Sequence, residues 1–322
     1  MAKIYGNVRP EDDYTHPLGP EQNFNESVYF NFFDRSQGRG GFLRIGNRAN
    51  EGYAEVTVIV YEPDGSALFN YKRPQISTND GWNAGGLAVE VLDPGERLRT
   101  TYDGSVVFLA DPRAMSDPGR AFKDNPRRRM MMDLVHEGVG PIYGHVGKPD
   151  DANDFARAHY EQHMRVTGTI AVDGGAPLAI AGHGLRDHSW GPRYWQSTPS
   201  YRWITGNFGD DLGMVVSIIG DRVGGVFHRG DQLVRITGVD LATDYEAGTK
   251  FHRALRADLT LENGERHRVE GAVKGFIPLR NRRAGMSTHI GEGMTEYVLD
   301  GDRVGYGLSE YLDQPEAATA SA

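Results

Sequence analysis

The clearest indication of fold class is AEVTVIVYEPDGSALFNY, residues 54–71. Its first eight residues are rich in β-branched and aromatic side chains, which is typical of a strand. The turn sequence Glu62-Pro63-Asp64-Gly65 follows, in which proline presets φ and glycine accepts a positive φ. Ala67 to Tyr71 then forms the return strand. The stretch therefore predicts an antiparallel β-hairpin.

Similar signals recur along the chain. The dipeptides Asp103-Gly104, Asn263-Gly264 and Asp300-Gly301 each separate two strand-like runs, and such dipeptides favour the type I′ turns of hairpins. Further runs of this kind lie at 41–45, 87–92, 164–172, 178–183, 203–208, 214–219 and 225–228. Only residues 151–162 have a helical pattern, which an irregular connection would also explain. The sequence therefore predicts an all-β protein built from antiparallel meanders.

A chain of 322 residues exceeds the usual size of one domain, so two domains are expected. Many short strands with little helix form barrels or sandwiches, because a long antiparallel sheet must curl to cover its edges. We expect two tandem antiparallel β-barrels, or strongly curled sandwiches, over residues 1–178 and 179–314. The small-residue ending PEAATASA, residues 315–322, predicts a flexible tail.

Composition excludes several function classes. The formal net charge of -9 repels phosphate backbones and anionic membrane surfaces, so no nucleic-acid partner is expected. The absence of cysteine removes disulfides, thiolate nucleophiles and cysteine-based zinc sites. No apolar stretch approaches the roughly 20 residues that cross a bilayer, and the first residues lack a signal-peptide core. We expect a cytoplasmic protein without integral membrane association, and a homodimer is left open.

The densest group of reactive side chains is HGLRDHSWGPRYW, residues 183–195. Alternation along an extended strand would place Asp187 and His188 on opposite faces. A carboxylic acid among aromatic side chains has a raised pKa, which would let Asp187 act as a general acid. His188 or His183 would exchange the proton, since imidazole titrates near neutral pH. Asp187, His188 and His183 are therefore the candidate catalytic residues.

Other residues are candidates for substrate binding. The aromatic ones would form an apolar wall, and the arginine would hold Asp187 or a substrate oxygen. Two further candidates are a carboxylate in an aromatic segment and an imidazole beside a glutamate. The whole set is Trp190, Arg193, Tyr194, Trp195, Glu26 and His136. The alternative is structural: an Asp-Arg pair and a tryptophan plug that close one end of a barrel.

Two other chemistries are disfavoured. Ser189 lies beside a histidine and an aspartate, but no Gly-x-Ser-x-Gly elbow accompanies it, so a serine hydrolase is not expected. His159 and His163 have the spacing of a helical metal pair, but no HExxH motif is present. No Gly-x-Gly-x-x-Gly or Walker motif appears either. We therefore predict neither a metal nor a cofactor.

The ordered motifs resemble a known superfamily. DHSWGPR at 187–193, FLRIG at 42–46, YEQ at 160–162 and GYG at 305–307 are similar to motifs of the hydroxyneurosporene synthase (carotenoid 1,2-hydratase)-like superfamily. The resemblance runs over nearly the whole chain and implies two lipocalin-like β-barrel domains. It also implies cofactor-free hydration or cyclisation of an apolar substrate in a cavity between or within barrels. Asp187 matches the proposed proton donor of the hydratases, whereas Arg186 and Ser189 depart from their HDHNWG pattern.

These observations lead to one main hypothesis and two alternatives. The main one is a cofactor-free lyase, hydratase or isomerase that acts on a hydrophobic isoprenoid, polycyclic or aromatic molecule. The first alternative is loss of water or formaldehyde from a lignin-derived aromatic alcohol, which the same acid-base groups would perform. The second is a non-catalytic carrier of an apolar ligand, because fold alone does not determine activity.

Overall fold

The computed structural model describes residues 2–147, 157–193, 198–283 and 285–314, which fold as two groups of strands. The first group is β1 (Ile4–Gly6), β2 (Phe24–Asp34), β3 (Arg39–Arg48), β4 (Tyr53–Tyr61), β5 (Ala67–Lys72), β6 (Trp82–Ala84), β7 (Leu87–Asp93), β8 (Arg97–Leu109), β9 (Arg127–Gly138), β10 (Ile142–Val146), β11 (Ala158–Val172) and β12 (Leu178–Pro192). The second is β13 (Ser200–Asn207), β14 (Leu212–Ile219), β15 (Arg222–Arg229), β16 (Gln232–Tyr245), β17 (His252–Leu261), β18 (Arg266–Arg283), β19 (Met286–Leu299) and β20 (Arg303–Asp313). Helix α1 (Pro118–Asp124) and 3-10 turns at Pro10–Asp13, Ala49–Glu51 and Pro112–Ser116 complete the described elements.

The pairing of the first group closes on itself. Antiparallel pairs run β2–β3–β4–β5–β8–β9–β11–β12, and β12 pairs again with β2, so eight strands form a ring. The ring closes because β11 is long: residues 164–172 pair with β9, whereas residues 158–161 pair with β10. The remaining strands extend the sheet, with β1 parallel to β10 and β6 beside β7. We call this ring, together with the four strands that extend it, barrel 1.

The second group is a closed meander. Each strand from β13 to β19 pairs with the next, and β20 pairs with β13, which gives an eight-stranded antiparallel barrel. The predicted turns at Asn263-Gly264 and Asp300-Gly301 connect β17 to β18 and β19 to β20. Asp300 and Gly301 both have positive φ, at 52° and 88°. The all-β fold class is therefore confirmed, and we call this ring barrel 2.

One turn prediction holds and another is wrong. Gly65 has a φ of 87°, and its N–H donates to the Glu62 carbonyl at 3.0 Å, as the hairpin of residues 54–71 requires. Asp103-Gly104, by contrast, lies inside strand β8. A Cβ at Gly104 would lie 2.5 Å from the Tyr102 hydroxyl oxygen. Gly104 therefore leaves room for the Tyr102 ring, which packs over the strand. In the sequence, a glycine with this role cannot be distinguished from a turn glycine.

The connection between the barrels also differs from expectation. Of the predicted helical segment, residues 151–156 lie outside the described part, and the strand β11 already begins at Ala158. Strand β12 belongs to barrel 1, so by strand pairing the change to barrel 2 falls between Pro192 and Ser200. The division at 178/179 stays a prediction about folding units, and the predicted tail of residues 315–322 lies outside the described residues. No helix in the described ranges is long and apolar enough to cross a membrane.

The three largest apolar clusters of the described residues account for most of the core. One fills barrel 1 and includes Phe30 and Phe32, and another fills barrel 2. The third lies between the barrels, where Tyr29 and Phe33 from the opposite face of β2 pack near Ile277 from β18. All eleven residues of β2 are buried because both faces of the strand are covered. This double covering brings side chains on the outside of barrel 1 against barrel 2.

Candidate active site

A cavity of about 570 Å³ lies between the outer faces of the two barrels. Barrel 1 contributes residues from β2, β3 and β10 to β12, and barrel 2 contributes residues from β13 to β16 and from β20. Its walls include the aromatic residues Tyr29, Tyr143, Tyr201 and Trp203. The volume and the mixture of aromatic walls with a few polar groups are typical of a small-molecule site.

Strand alternation determines which side chains reach this cavity. Glu161 on β11 and Asp187 on β12 are direct cross-strand partners, and both line the cavity. His159, two residues before Glu161, points the same way because side chains two apart on a strand share a face. His188 faces the interior side of barrel 1, so Asp187 and His188 point apart as the alternation predicts.

The three cavity groups are in direct contact. A hydrogen bond joins His159 Nε2 to Asp187 Oδ2, and the same nitrogen lies 3.6 Å from Glu161 Oε1. The indole N–H of Trp203, from barrel 2, donates to Glu161 Oε1 at 2.7 Å. Two carboxyl groups and an imidazole thus meet at the junction of the barrels, which is an arrangement suited to moving a proton.

The two carboxyl groups have opposite pKa shifts. Burial raises the pKa of Glu161 well above its usual value, and the negative charge of Asp187 adds to this effect. Burial also acts to raise the pKa of Asp187, but His159 and Arg193 outweigh it and lower that pKa below its usual value. The expectation that burial makes Asp187 the protonated carboxyl is therefore not met. The local charges therefore favour the protonated form of Glu161 over that of Asp187.

Barrel 2 adds a third carboxyl group to the cavity. Glu310 on β20 is buried, and desolvation raises its pKa to about 7 although Arg193 acts to lower it. The Arg193 guanidinium donates to Ser189 Oγ at 2.8 Å, and burial lowers its pKa to about 10. Arg44 of β3 lines the cavity as well. The predicted binding residue Arg193 therefore lies where a substrate oxygen would meet a positive charge.

The other face of β12 forms a second cluster, inside the end of barrel 1. Glu26 accepts hydrogen bonds from the His16 backbone N–H at 2.9 and 3.0 Å and from the side chain of Asn79. Its Oε1 also lies 2.6 Å from His16 Nδ1 and 3.1 Å from His188 Nε2. The Trp190 ring stacks on His16 with centroids 3.9 Å apart. Glu26, His188 and Trp190 thus meet each other and are absent from the cavity lining.

This second cluster matches the structural alternative from the sequence. Arg186 and Asp13 form a fully buried ion pair, and Arg186 Nε donates to Gln162 Oε1 at 2.9 Å. The Tyr160 hydroxyl donates to the same aspartate. The arginine-aspartate pair and the tryptophan plug at the end of barrel 1 are therefore both present, but the aspartate is Asp13 and not Asp187.

The remaining predicted residues lie apart from the cavity or outside the described ranges. His183 lies at the surface, 2.7 Å from Asp210 Oδ1 through Nε2, about 13 Å along the strand from Asp187. His136 is buried inside barrel 1 at 2.9 Å from Thr100 Oγ1, and burial lowers its pKa to about 3, so it is neutral. Tyr194 and Trp195 lie outside the described residues.

Both clusters have ligand atoms that could hold a metal ion. In each of the triads His159-Glu161-Asp187 and His16-Glu26-His188, one ligand atom per residue lies within 4.8 Å of the others. The raised pKa of Glu161 disfavours the carboxylate form that a metal requires, although a bound cation would itself reverse this effect. The inner triad is already fully hydrogen-bonded around Glu26.

Sequence reasoning missed Glu161, Glu310 and Trp203 as site residues, and it considered His159 only as a metal ligand. Glu161 and Asp187 are 26 positions apart, and their contact depends on the register of β11 with β12. Glu310 and Trp203 come from the other barrel. A hairpin register read outward from a three-residue loop at Asp173-Gly174-Gly175 would have paired Glu161 with Asp187. No sequence signal pointed to the barrel 2 residues.

Fold and site define a class: two tandem antiparallel β-barrels with an acid-base cluster in the cavity between them. Within that class, the chain belongs to the family described as a domain of unknown function (DUF7064), whose model matches residues 9–315. No curated protein matches the sequence.

Solved structures of low sequence identity share this fold. A candidate AttH from Nitrosomonas europaea has 15% identity and a TM-score of 0.59, with 97% of this chain and 99% of that chain covered. Kievitone hydratase from Nectria haematococca has 13% identity and a TM-score of 0.58, with 91% and 90% covered. CghA with Sch210972 has 11% identity and a TM-score of 0.55, with 90% and 88% covered. The likeness extends over both barrels and shows the fold.

Proposed function

We propose that this protein is a lyase, hydratase or isomerase that uses acid-base chemistry on a hydrophobic small molecule in the cavity between the barrels. One observation carries the proposal. Glu161 and Asp187 are cross-strand partners whose surroundings push their pKa values apart, and His159 contacts both. Two neighbouring carboxyl groups with opposite pKa shifts provide a proton donor and a proton acceptor at one place.

In the hydration direction, Glu161 gives its proton to one carbon of a substrate double bond, and the electron pair of that bond forms the new C–H bond. A water molecule attacks the other carbon and loses a proton to the Asp187-His159 pair. His159 lies between the two carboxyl groups, so it can return this proton to Glu161 and restore the starting state. The sum is addition of H and OH, and the same steps in reverse remove water. Isomerisation uses the first protonation followed by loss of a different proton.

The cavity walls suit this chemistry. Tyr29 and Trp203 meet edge to face with ring centroids 5.3 Å apart, and their π faces favour positive charge that develops on a substrate carbon. Val215 and Ile219 provide apolar surface from barrel 2. Arg193 is placed to bind an oxygen of the substrate. No step of this route uses a bound cofactor.

The fold comparison supports the proposal only at a coarse level. Kievitone hydratase is a hydratase by name, and it shares the two-barrel fold at 13% identity. The sequence resemblance to the hydroxyneurosporene synthase-like superfamily points in the same direction through Asp187. We propose, however, that Glu161 delivers the proton and that Asp187 with His159 accepts one.

The first test is a search for turnover. The protein would be incubated with a mixed library of terpenoids, steroids and phenolic dimers, and bound and free molecules analysed by native mass spectrometry and chromatography. A product that has gained or lost water, or an isomer, is the expected result. A product that has lost formaldehyde would instead support elimination from an aromatic alcohol. Ligand retention without conversion would favour a carrier.

Substitutions then test the residue roles. Once a turnover assay exists, Glu161→Gln and Asp187→Asn should each lower kcat by about 10²- to 10⁴-fold, the usual contribution of a general acid or base. The matched control is Glu90→Gln, an exposed carboxylate on barrel 1, which should keep full turnover. Full activity in Glu161→Gln with intact ligand binding would contradict the proposed proton donor.

A further inference from the structure

The cavity between the barrels is richer in positive charge than the chain as a whole. Four arginines line it, whereas the lining contains three carboxyl groups, and the formal net charge of the whole chain is -9. Two of the three carboxyl groups are buried: Glu161 is 2% exposed and Glu310 is 7% exposed. Arg193 and Arg44 lie close enough to Glu310 to affect its pKa, so charges of both signs meet there.

The other two arginines lie at the mouth. Arg222 begins strand β15 and Arg235 lies on β16, and both residues are exposed. Arg222 is the cross-strand partner of Ile219, and Arg235 is the cross-strand partner of Val226. Because cross-strand partners point to the same face of a sheet, both arginines lie on the outer face of barrel 2 beside apolar residues. Within the described ranges, neither has an ion-pair partner. Two guanidiniums therefore flank the entrance, and neither forms an ion pair with a carboxylate of the described residues.

The wall beside these arginines is open and apolar. A Cβ placed on Gly224 would have no atom within 4 Å, so this residue leaves free space in the cavity. Val215, Ile219 and Val223 also line this side. A ligand that lies along this wall would place its apolar part against these side chains and its outer end between the two arginines.

We propose that the ligand of this cavity is an amphipathic anion, in which a carboxylate or a similar oxyanion is bound at the mouth by Arg222 and Arg235 and an apolar body extends inward. The proposal rests on the proposed function for the identity of the cavity as the working site. Beyond that function, the present proposal specifies that the substrate is negatively charged and that it enters with its apolar end first. The reacting double bond would then lie at the inner end, away from the oxyanion.

Physical reasons favour this reading over a neutral ligand. Guanidinium groups form charge-assisted, bidentate hydrogen bonds with planar oxyanions. A protein of net negative charge repels anions at long range, so local positive charge at a cleft is needed to attract one. A wholly neutral ligand would not need two exposed arginines at the entrance.

A matched pair of fluorescent probes tests the proposal by direct binding. 8-Anilino-1-naphthalenesulfonate carries an oxyanion, and N-phenyl-1-naphthylamine has the same aromatic skeleton without it. In the double variant Arg222→Gln/Arg235→Gln, the affinity for the sulfonate should fall by about tenfold, whereas the affinity for the neutral probe should stay within about twofold. Arg97→Gln, an exposed arginine on barrel 1, is the control for net charge and should change neither affinity.

A second variant locates the probes. Gly224→Phe places a bulky side chain on this wall at a position where a Cβ has no atom within 4 Å, so it should weaken both probes strongly. Unchanged sulfonate affinity in the double arginine variant, or in Gly224→Phe, would overturn the proposal. These measurements need no turnover. If the arginine variant loses affinity for the sulfonate but Glu161→Gln keeps full turnover, the anion site stands and the proposed chemistry is refuted. If the arginine variant keeps its affinity for the sulfonate but Glu161→Gln loses turnover, the proposed chemistry stands and the anion site is refuted.

Discussion

A buried carboxyl group between the barrels makes the stability of this protein depend on pH. Glu292 of β19 is the cross-strand partner of Glu310 and is 4% exposed. Its Oε2 has no hydrogen-bond partner among the described residues. Burial raises its pKa from the ordinary 4.5 to about 8, although Arg44 acts to lower it. Such a group is protonated in the folded protein at neutral pH and ionised in the unfolded chain.

The sign of the effect follows from proton binding. Between pH 4.5 and 8 the folded state binds more protons at Glu292 than the unfolded state, so the free energy of unfolding falls as pH rises through this window. At pH 8 the full loss would be about 4 kcal/mol, because each pH unit of difference corresponds to about 1.36 kcal/mol. We expect about half of this loss in the free energy of unfolding, since relaxation of the protein around the ionised Glu292 reduces the cost of burying its charge.

The perturbation is Glu292→Gln, which removes the titration and keeps the shape of the side chain. Relative to the original protein, the variant should gain about 2 kcal/mol of stability between pH 5 and pH 8. For 322 residues at about 2.1 cal/mol/K per residue, this gain is roughly 3 °C in Tm. Taking the difference between the two pH values cancels any pH-independent effect of the amide.

Thermal unfolding followed by near-ultraviolet circular dichroism at pH 5.0, 6.5 and 8.0 measures this gain. Glu270→Gln, an exposed carboxylate on the same barrel, is the control and should show no change in pH dependence. A Glu292→Gln variant that loses the same Tm at every pH would refute the reasoning, because Glu292 would then be ionised and stabilised in the folded protein.

Two further predictions concern contacts that hold the fold together. Arg186→Met should lower the free energy of unfolding by roughly 3–5 kcal/mol, because it removes the cation that pairs with the buried Asp13 carboxyl group. Urea unfolding measures this loss, and a loss below about 1 kcal/mol would contradict a stabilising role for the ion pair. Tyr61→Phe should cost about 1 kcal/mol, since it removes the 3.0 Å hydrogen bond from the Tyr61 hydroxyl to a carbonyl of barrel 2. An unchanged urea midpoint for Tyr61→Phe would show that this bond does not stabilise the junction.

Much of the fold could be predicted because its signals are local. The turn at 62–65 and the turns at Asn263-Gly264 and Asp300-Gly301 depend only on which residues accept positive φ. Asp103-Gly104 has the same composition but lies inside a strand, because a glycine also serves where a side chain packs over the backbone. Local composition does not distinguish these two uses.

The site was predictable only in part. The segment 183–193 does supply Asp187 and Arg193 to the cavity, and alternation correctly separates Asp187 from His188. Which face of β12 meets barrel 2, and which carboxyl group keeps its proton, depend on neighbours that are distant in sequence. His159 lowers the pKa of Asp187 through a contact 28 positions away, so the expected direction of its shift was reversed.

The all-β class and the hairpin turns of barrel 2 follow from the sequence alone, because hairpin turns and period-two alternation are properties of neighbouring residues. The strand predicted at 178–183 extends to Pro192 in the structure, and that extension carries Asp187. Three features depend on how the two barrels pack: their outer faces enclose a cavity, Glu161 meets Asp187 there, and Trp203 and Glu310 complete its lining. Desolvation and charge act through space, and the distances between these groups are determined by the packing of one closed barrel against another.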